Sequence, residues 1–449
     1  MPKPSIDLVV RGGEIVTPGR TRVGDLLIAK GKFAGMVAAG KGEGDSVLDA
    51  EGLLVFPGFI DAHVHLNEPG RADWEGLETG TRALAAGGVT TFFDMPLNST
   101  PPVITAVELE KKRTVARKKS RVDFALWGGL VAGNVGELPG MAEAGAVGFK
   151  SFLCNSGMDD FPATDERTLL EGAKMCAKLD RVLAVHAEDD ALAARLTAEQ
   201  VAGGKTGWRD YLRSRPVAVE VAGVRMALEA AERTGCALHI VHNSCPEALE
   251  LIRQARRAKV NVTAETCPHY LLLTELALGK QGATAKCAPP LRPRRAVEHM
   301  WEALAAGQIQ TIGSDHSPSP PDLKRGSNFF KIWGGIGGCQ HAFPLLIGEA
   351  LRRGIPPGKL VGLTSENTAK RFRLRGKGTL DPGADADLAL IRLGLGEAIK
   401  ASKLLYRHQL SAYVRMRPRA EVTYTILRGE VLTLDAPPQG REVGLLQED

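Results

Sequence analysis

Residues 53–65 read LLVFPGFIDAHVH, a run of branched and aromatic apolar residues that ends in two histidines. A run of this kind reads as a strand, with its polar residues gathered at the C-terminal end. Seven more follow: VTTFFDMP to Pro96, VDFALWGGL to Leu130, AVGFKSFL to Leu153, VLAVHAE to Glu188, ALHIVHNS to Ser244, VNVTAET to Thr266 and IQTIGSDHS to Ser317. Stretches rich in Ala, Leu, Glu and Arg, long enough for helices, separate them. Strand and helix in alternation imply parallel pairing, and eight such units close a barrel. The fold class predicted is α/β: a (β/α)8 TIM-like barrel over residues 54–375. The flanks, 1–53 and 376–449, have another texture. DLVVRGGEIVTP and RVGDLLIAKGKFAGMV before the barrel, and GTLDPGADADLALIRL and AEVTYTILRGEVLTL after it, are short Val/Leu/Ile runs broken by glycine and turns. The two ends are predicted to complete one small β-sandwich beside the barrel.

Composition narrows the function. The chain has 449 residues, 44% of them hydrophobic, so it can bury a large core. The 57 Lys plus Arg against 52 Asp plus Glu leave a net charge of only +5, too thin a field to hold a polyanion, and no nucleic-acid partner is expected. The seven cysteines fall between Cys154 and Cys339 without a CxxC pair, which disfavours a disulfide scaffold or a zinc ribbon and suits a reducing cytoplasm. No segment approaches the ~20 uninterrupted apolar residues of a membrane span, and the start does not read as a signal sequence. A cytoplasmic protein with no membrane partner is expected.

His63 and His65 stand two apart at a strand end, and the period of a strand points both to one face. They read either as a metal claw at the barrel mouth or as a pair of satisfied polar residues. Other strand ends support the claw: His186 closes VLAVHAE, His242 closes ALHIVHNS and Asp315 closes IQTIGSDHS, all where a barrel places its active site. His239, three residues before His242, is expected on the opposite face as a packing residue. His316 is expected to face away from Asp315, and His269, His299, His341 and His408 are read as structural. Lys150 interrupts the apolar strand AVGFKSFL. A buried ammonium is costly, and desolvation lowers its pKa until the neutral amine can capture carbon dioxide as a carbamate able to bridge two metal ions. The other reading is a strand-end lysine reaching solvent or an acidic partner.

With these residues in place, the chain resembles the cyclic-amidase branch of the amidohydrolase superfamily, which includes dihydroorotases, hydantoinases and allantoinases. PGFIDAHVH, GFKSF, AVHAE, IVHNS and GSDHSP match its landmarks, and the resemblance spans nearly the whole chain. It implies a binuclear centre of two divalent ions, usually zinc, although cobalt, manganese or iron suit the same donors. His63 and His65 would hold the more buried ion with Asp315, His186 and His242 the more exposed one, and carbamylated Lys150 would join them. It further implies a metal-bridging hydroxide that attacks a ring carbonyl, with Asp315 as general base, and a homo-oligomer, often a tetramer.

Within the branch, dihydroorotases similar to this chain continue HVHLREPG, with an arginine for the substrate carboxylate. Here HVHLNEPG places Asn67 instead, which suits a substrate without that carboxylate, and allantoin is such a molecule. ETCPHYL, AKCAPPLR, GSDHSPSPPDLK and WGGIGGCQ are also similar to allantoinases, so the expected small-molecule partner is allantoin. Hydantoinase, dihydropyrimidinase or dihydroorotase activity is the alternative, and a metal-free scaffold is the alternative that is not an enzyme. Asn67, Asn98, Asn155, Ser156, Cys287 and Ser317 are candidates to line the substrate pocket, each equally readable as turn chemistry or packing. The basic run Lys111–Arg121 is expected to be a solvated outer helix face, and GGIGG around Gly335 a mobile loop near the mouth.

Overall fold

Three strands, Phe59–Val64, Val89–Asp94 and Asp123–Leu126, pair in parallel. A further parallel sheet runs through Gly128–Gly129, Gly148–Phe152, Val182–His186, Leu238–Ile240, Val262–Thr266 and Thr311–Ile312. Asp123–Leu126 and Gly128–Gly129 are one run interrupted at Trp127, whose indole donates to the Ala62 carbonyl at 3.0 Å. A parallel bridge between Val64 and His316 joins the last run to the first. The computed structural model, which describes residues 5–446, thus closes the eight expected runs into a (β/α)8 barrel. Residues 1–4 and 447–449 of the expected terminal unit lie outside the described residues.

The barrel strands are buried along almost their whole length, which explains why they read as continuous apolar runs. Lys150, Ala184, His239 and Thr263 are in register on four adjacent strands and therefore share one face. Phe93, Trp127 and Phe372 fill part of the interior in edge-to-face contacts, with Phe372 centred 5.0 Å from Phe93 and 5.2 Å from Trp127.

Beside the barrel, the chain ends form an eight-stranded mixed sheet, the β-sandwich part of the fold. Its order is Glu430–Val431, Ala420–Leu427, Leu388–Leu393, Leu53–Pro57, Leu8–Thr17, Arg20–Ala29 and Lys32–Val37, with Ser46–Asp49 also on Leu8–Thr17. The opening run LLVFPGFIDAHVH therefore serves both units: Leu53–Pro57 pairs in this sheet and Phe59–Val64 in the barrel. The passage between them is Gly58, where a Cβ would stand 2.2 Å from the Thr90 hydroxyl. The C-terminal segment is not confined to the sheet. Between its strands it reaches Glu75, whose carboxylate accepts from the Arg407 amide at 3.2 Å. After them it pairs with the barrel again, Phe124 N to Arg441 O at 2.9 Å.

The basic run sits, as expected, on an outer helix, Ala106–Lys119, but not all of it is solvated. Lys112 is fully buried, 2.9 Å from Asp94 and 2.6 Å from the Met95 carbonyl, and Arg113 pairs with Glu442 at 2.8 Å. Part of its charge anchors the helix to the barrel and to the chain's tail. No helix among the described residues is long and apolar enough to cross a membrane.

Candidate metal centre

The strand ends bring the expected side chains together. His63 Nε2 and His65 Nε2 lie 3.3 and 3.4 Å from the same oxygen, Asp315 Oδ1, and a ligand atom from each of the three lies within 4.8 Å of the others. The rings of His63 and His242 are centred 5.3 Å apart, and those of His242 and His186 4.5 Å apart. Lys150 is fully buried, its Nζ 5.1 Å from the centre of the Phe152 ring, which stacks on His186 at 4.5 Å. Lys150 Nζ and His242 Nδ1 are both buried without a hydrogen-bond partner among the described residues. Two polar atoms left unpaired in the interior would cost several kcal/mol, and a bound cation or a modified lysine would satisfy them. The donor set, imidazole and carboxylate with one amine, fits first-row divalent metals.

Backbone geometry explains how these residues reach one point. His242 and Asp315 lie just past their strands in the left-handed region, with φ of 37° and 45°, uncommon for residues other than glycine. This turn corrects the expectation for His239. It lies in register with Lys150 on the interior face, and His242, leaving strand geometry, also meets the interior His63 ring. His239 keeps a packing role, with Nδ1 2.8 Å from Thr263 Oγ1 and Nε2 3.4 Å from Glu265. At Gly313 a Cβ would come within 2.7 Å of His63 Cβ and 2.8 Å of Glu265 Oε2, so only glycine leaves room for those two side chains.

Charge follows burial and neighbours. Burial lowers the Lys150 pKa to about 8, against the attraction of Asp315 and Glu265. Burial would raise Asp315, but His63 and His65 hold its carboxyl well below the usual range. Desolvation lowers His65, and desolvation with the charges of His186 and Lys150 lowers His242 far below an ordinary histidine; both shifts favour the neutral ring, the form that binds metal.

Several residues not singled out in the sequence complete the site. Glu265, buried at the end of the seventh strand, holds His63 Nδ1 at 2.7 Å and accepts from the His242 amide at 3.2 Å. Glu188 holds His186 Nε2 at 2.8 Å and pairs with Arg215 at 2.6 Å. The only visible signals were a carboxylate at a strand end in VTAET and one two residues after His186 in HAE. Cys154 joins His186 and Glu188 in a second group of ligand atoms within 4.8 Å. Cys267 and His269 form a third with Asp315, which brings His269 nearer the centre than its structural reading implied. His316 does turn away, accepting from the Gly338 amide at 3.0 Å and packing its ring 4.8 Å from Tyr406.

The centre opens into a cavity of about 780 Å³ lined by Asn98, Asn155, Ser156, Cys287 and Ser317, five of the six residues expected there. Asn67 is not among its lining residues: with φ of 65° it is buried, and its amide reaches the Pro318 carbonyl at 3.5 Å. Asn155 and Ser156 also do turn work, accepting from the amides of Gly157 and Met158 at 2.7 and 3.2 Å. Gly335 lines the cavity with its amide tied to the Lys286 carbonyl at 2.7 Å.

A barrel with this constellation at its strand ends is that of a metal-dependent hydrolase, and the chain belongs to the amidohydrolase family, whose model matches residues 54–432. Family membership implies use of divalent metal. Among individual proteins, the chain is 46% identical to the allantoinase of Rubrobacter xylanophilus over 433 residues, covering 95% of this chain and 94% of the relative. It is 49% identical to the allantoinase of Bacillus velezensis over 387 residues, 86% and 85% of the two chains. The solved structure of the L-hydantoinase (dihydropyrimidinase) from Arthrobacter aurescens is similar over 98% of this chain and 99% of that one, with a TM-score of 0.95 at 32% identity.

Proposed function

We propose that this chain is an allantoinase, which hydrolyses the cyclic amide of allantoin to give allantoate. His63, His65, Lys150, His186, His242 and Asp315 would hold two divalent ions, with zinc the proposed metal. The observation that carries this reading is the Lys150 Nζ, buried without a hydrogen-bond partner among the described residues and near enough to Asp315, His65 and His242 to interact with their charges. With its pKa brought down to about 8, part of it is neutral amine near neutral pH. That amine adds to carbon dioxide, forming an N–C bond and releasing one proton, and the carbamate so made is an anionic oxygen donor. The bound cations would supply Lewis acidity and bring the ionisation of water toward neutral pH.

The chain's own residues do the rest. Asp315, kept ionised by His63 and His65, accepts a proton from the attacking water and returns it to the departing amide nitrogen. Glu265 fixes the His63 ring through Nδ1, and Glu188 fixes His186 through Nε2, so the remaining nitrogen of each ring is available as a ligand. All six ligand positions carry competent side chains, which favours an enzyme over a scaffold. The relatives at 46% and 49% identity favour allantoin over hydantoin, and the absence of an arginine at position 67 disfavours dihydroorotate. A homotetramer follows from the family resemblance alone. A reducing cytoplasm is supported by seven free cysteines, all buried.

The test is a side-by-side hydrolysis of allantoin, hydantoin, dihydrouracil and dihydroorotate by the purified protein. Ring opening of allantoin with little turnover of dihydroorotate is expected. A clear preference for dihydroorotate would overturn the reading, and a preference for hydantoin would move the chain to its sister activity.

A further inference from the structure

Beyond the residues proposed as ligands, several polar groups on the cavity wall are already engaged. Tyr211 donates its hydroxyl to the Cys287 carbonyl at 2.8 Å, Arg215 is paired with Glu188, and Ser156 donates to the Phe161 carbonyl at 2.6 Å. Lys331 lines the cavity but is exposed, so water screens its charge. Lys286 differs from all of these. It lines the same cavity, is 7% exposed, and forms no ion pair with a carboxylate among the described residues. Its ammonium donates to the Ile332 carbonyl and stands 4.8 Å from the centre of the Tyr211 ring. One carbonyl uses one of its three N–H donors. A nearly buried cation with donors to spare is costly to keep, and a ligand acceptor offsets that cost.

The position of Lys286 is fixed. Its carbonyl accepts from the Gly335 amide at 2.7 Å, and Lys324 donates to the carbonyls of Gly335 and Trp333 at 2.7 and 3.1 Å. Lys286 therefore stands on a stitched wall, next to Cys287 in the AKCAPPLR segment. Allantoin is a hydantoin ring bearing a ureido arm. The ring amide has to meet the ligands, so the arm must be received elsewhere in the cavity, and its carbonyl oxygen is a strong acceptor. We propose that Lys286 is a specificity-determining residue that donates a charge-assisted hydrogen bond to the ureido carbonyl of the substrate. This rests on the reading of allantoin as substrate.

Allantoin and hydantoin differ by that arm, so the ratio of their kcat/KM values isolates the contact from any general damage. In Lys286→Met the allantoin-to-hydantoin ratio is expected to fall about ten- to a hundredfold, chiefly through a higher KM for allantoin, the loss typical of a hydrogen bond to a charged group. Lys286→Gln, which keeps a donor without the charge, is expected to fall less, and it serves as the test should the methionine variant not fold. A ratio within about twofold of wild type in a folded variant, even with both rates reduced together, would show that Lys286 only props the loop and would overturn the inference. A wild-type enzyme that opens hydantoin but not allantoin would overturn the substrate reading and this inference with it. An unchanged ratio in an allantoin-active enzyme overturns this inference alone.

Discussion

At the scale of the residue, the site is organised by carboxylates behind the histidines. Glu265 is fully buried, yet His63 and His239 hold its carboxyl far below the ordinary range, so it stays an anion facing two rings. Glu265→Gln keeps the shape and removes the charge. Its affinity for divalent metal is expected to fall about ten- to a hundredfold, read by competition between the apo-protein and a coloured chelator; unchanged affinity would show that Glu265 only packs. The six residues proposed as ligands were singled out in the sequence because polar residues at the ends of otherwise apolar strands have few structural uses. Glu265 and Glu188 were not, because a glutamate at a strand end looks the same whether it meets water or a ring nitrogen. Asn67 is likewise absent from the cavity lining: it is buried with its amide toward the Pro318 carbonyl, a contact between distant residues that leaves no local pattern.

At the scale of the element, the eight barrel strands were readable, and the loops were not. Eight apolar runs counted in the sequence became the barrel, but the first run divides at Gly58 between two sheets, a break set by the close approach of Thr90. The loop carrying Trp333 and Gly335 is held by Lys324, forty-odd residues in sequence from its other carbonyl partner, Ala283. Burial, and then the charge of Lys286, lower the Lys324 pKa to about 7. The folded state therefore binds fewer protons than the unfolded chain between that value and the ordinary lysine value of 10.5, so this group makes stability rise with pH across the window. Lys324→Met is expected to flatten the rise of Tm between about pH 7 and 10. A slope equal to that of wild type would show that Lys324 is not desolvated by the loop.

At the scale of the molecule, a buried cation bridges the sandwich and the barrel. Lys377 reaches Asp123 on a barrel strand at 2.6 Å, and Asp385 and Asp387, just before the sheet strand Leu388–Leu393, at 2.9 and 2.7 Å. Arg428 also pairs with Asp123, and the backbone of Arg441 donates to it at 2.8 Å. Acidic groups that resemble a second metal site are thus already neutralised by the chain. The sequence showed that both ends share one unit, but not that the tail returns to the barrel, because pairing of distant backbone leaves no local pattern. What the whole assembly achieves is convergence, bringing His63, His65, His186, His242 and Asp315 from four strand ends and more than two hundred residues of sequence to one cavity, with Lys150 buried close to His242. The direct measure of that convergence is the metal content of the purified protein, wild type beside Lys150→Ala, by elemental analysis. About two divalent ions are expected per wild-type chain, and Lys150→Ala is expected to be folded, metal-poor and inactive. A wild type free of stoichiometric metal, or a Lys150→Ala that keeps its metal and its turnover, would contradict the proposed metal centre.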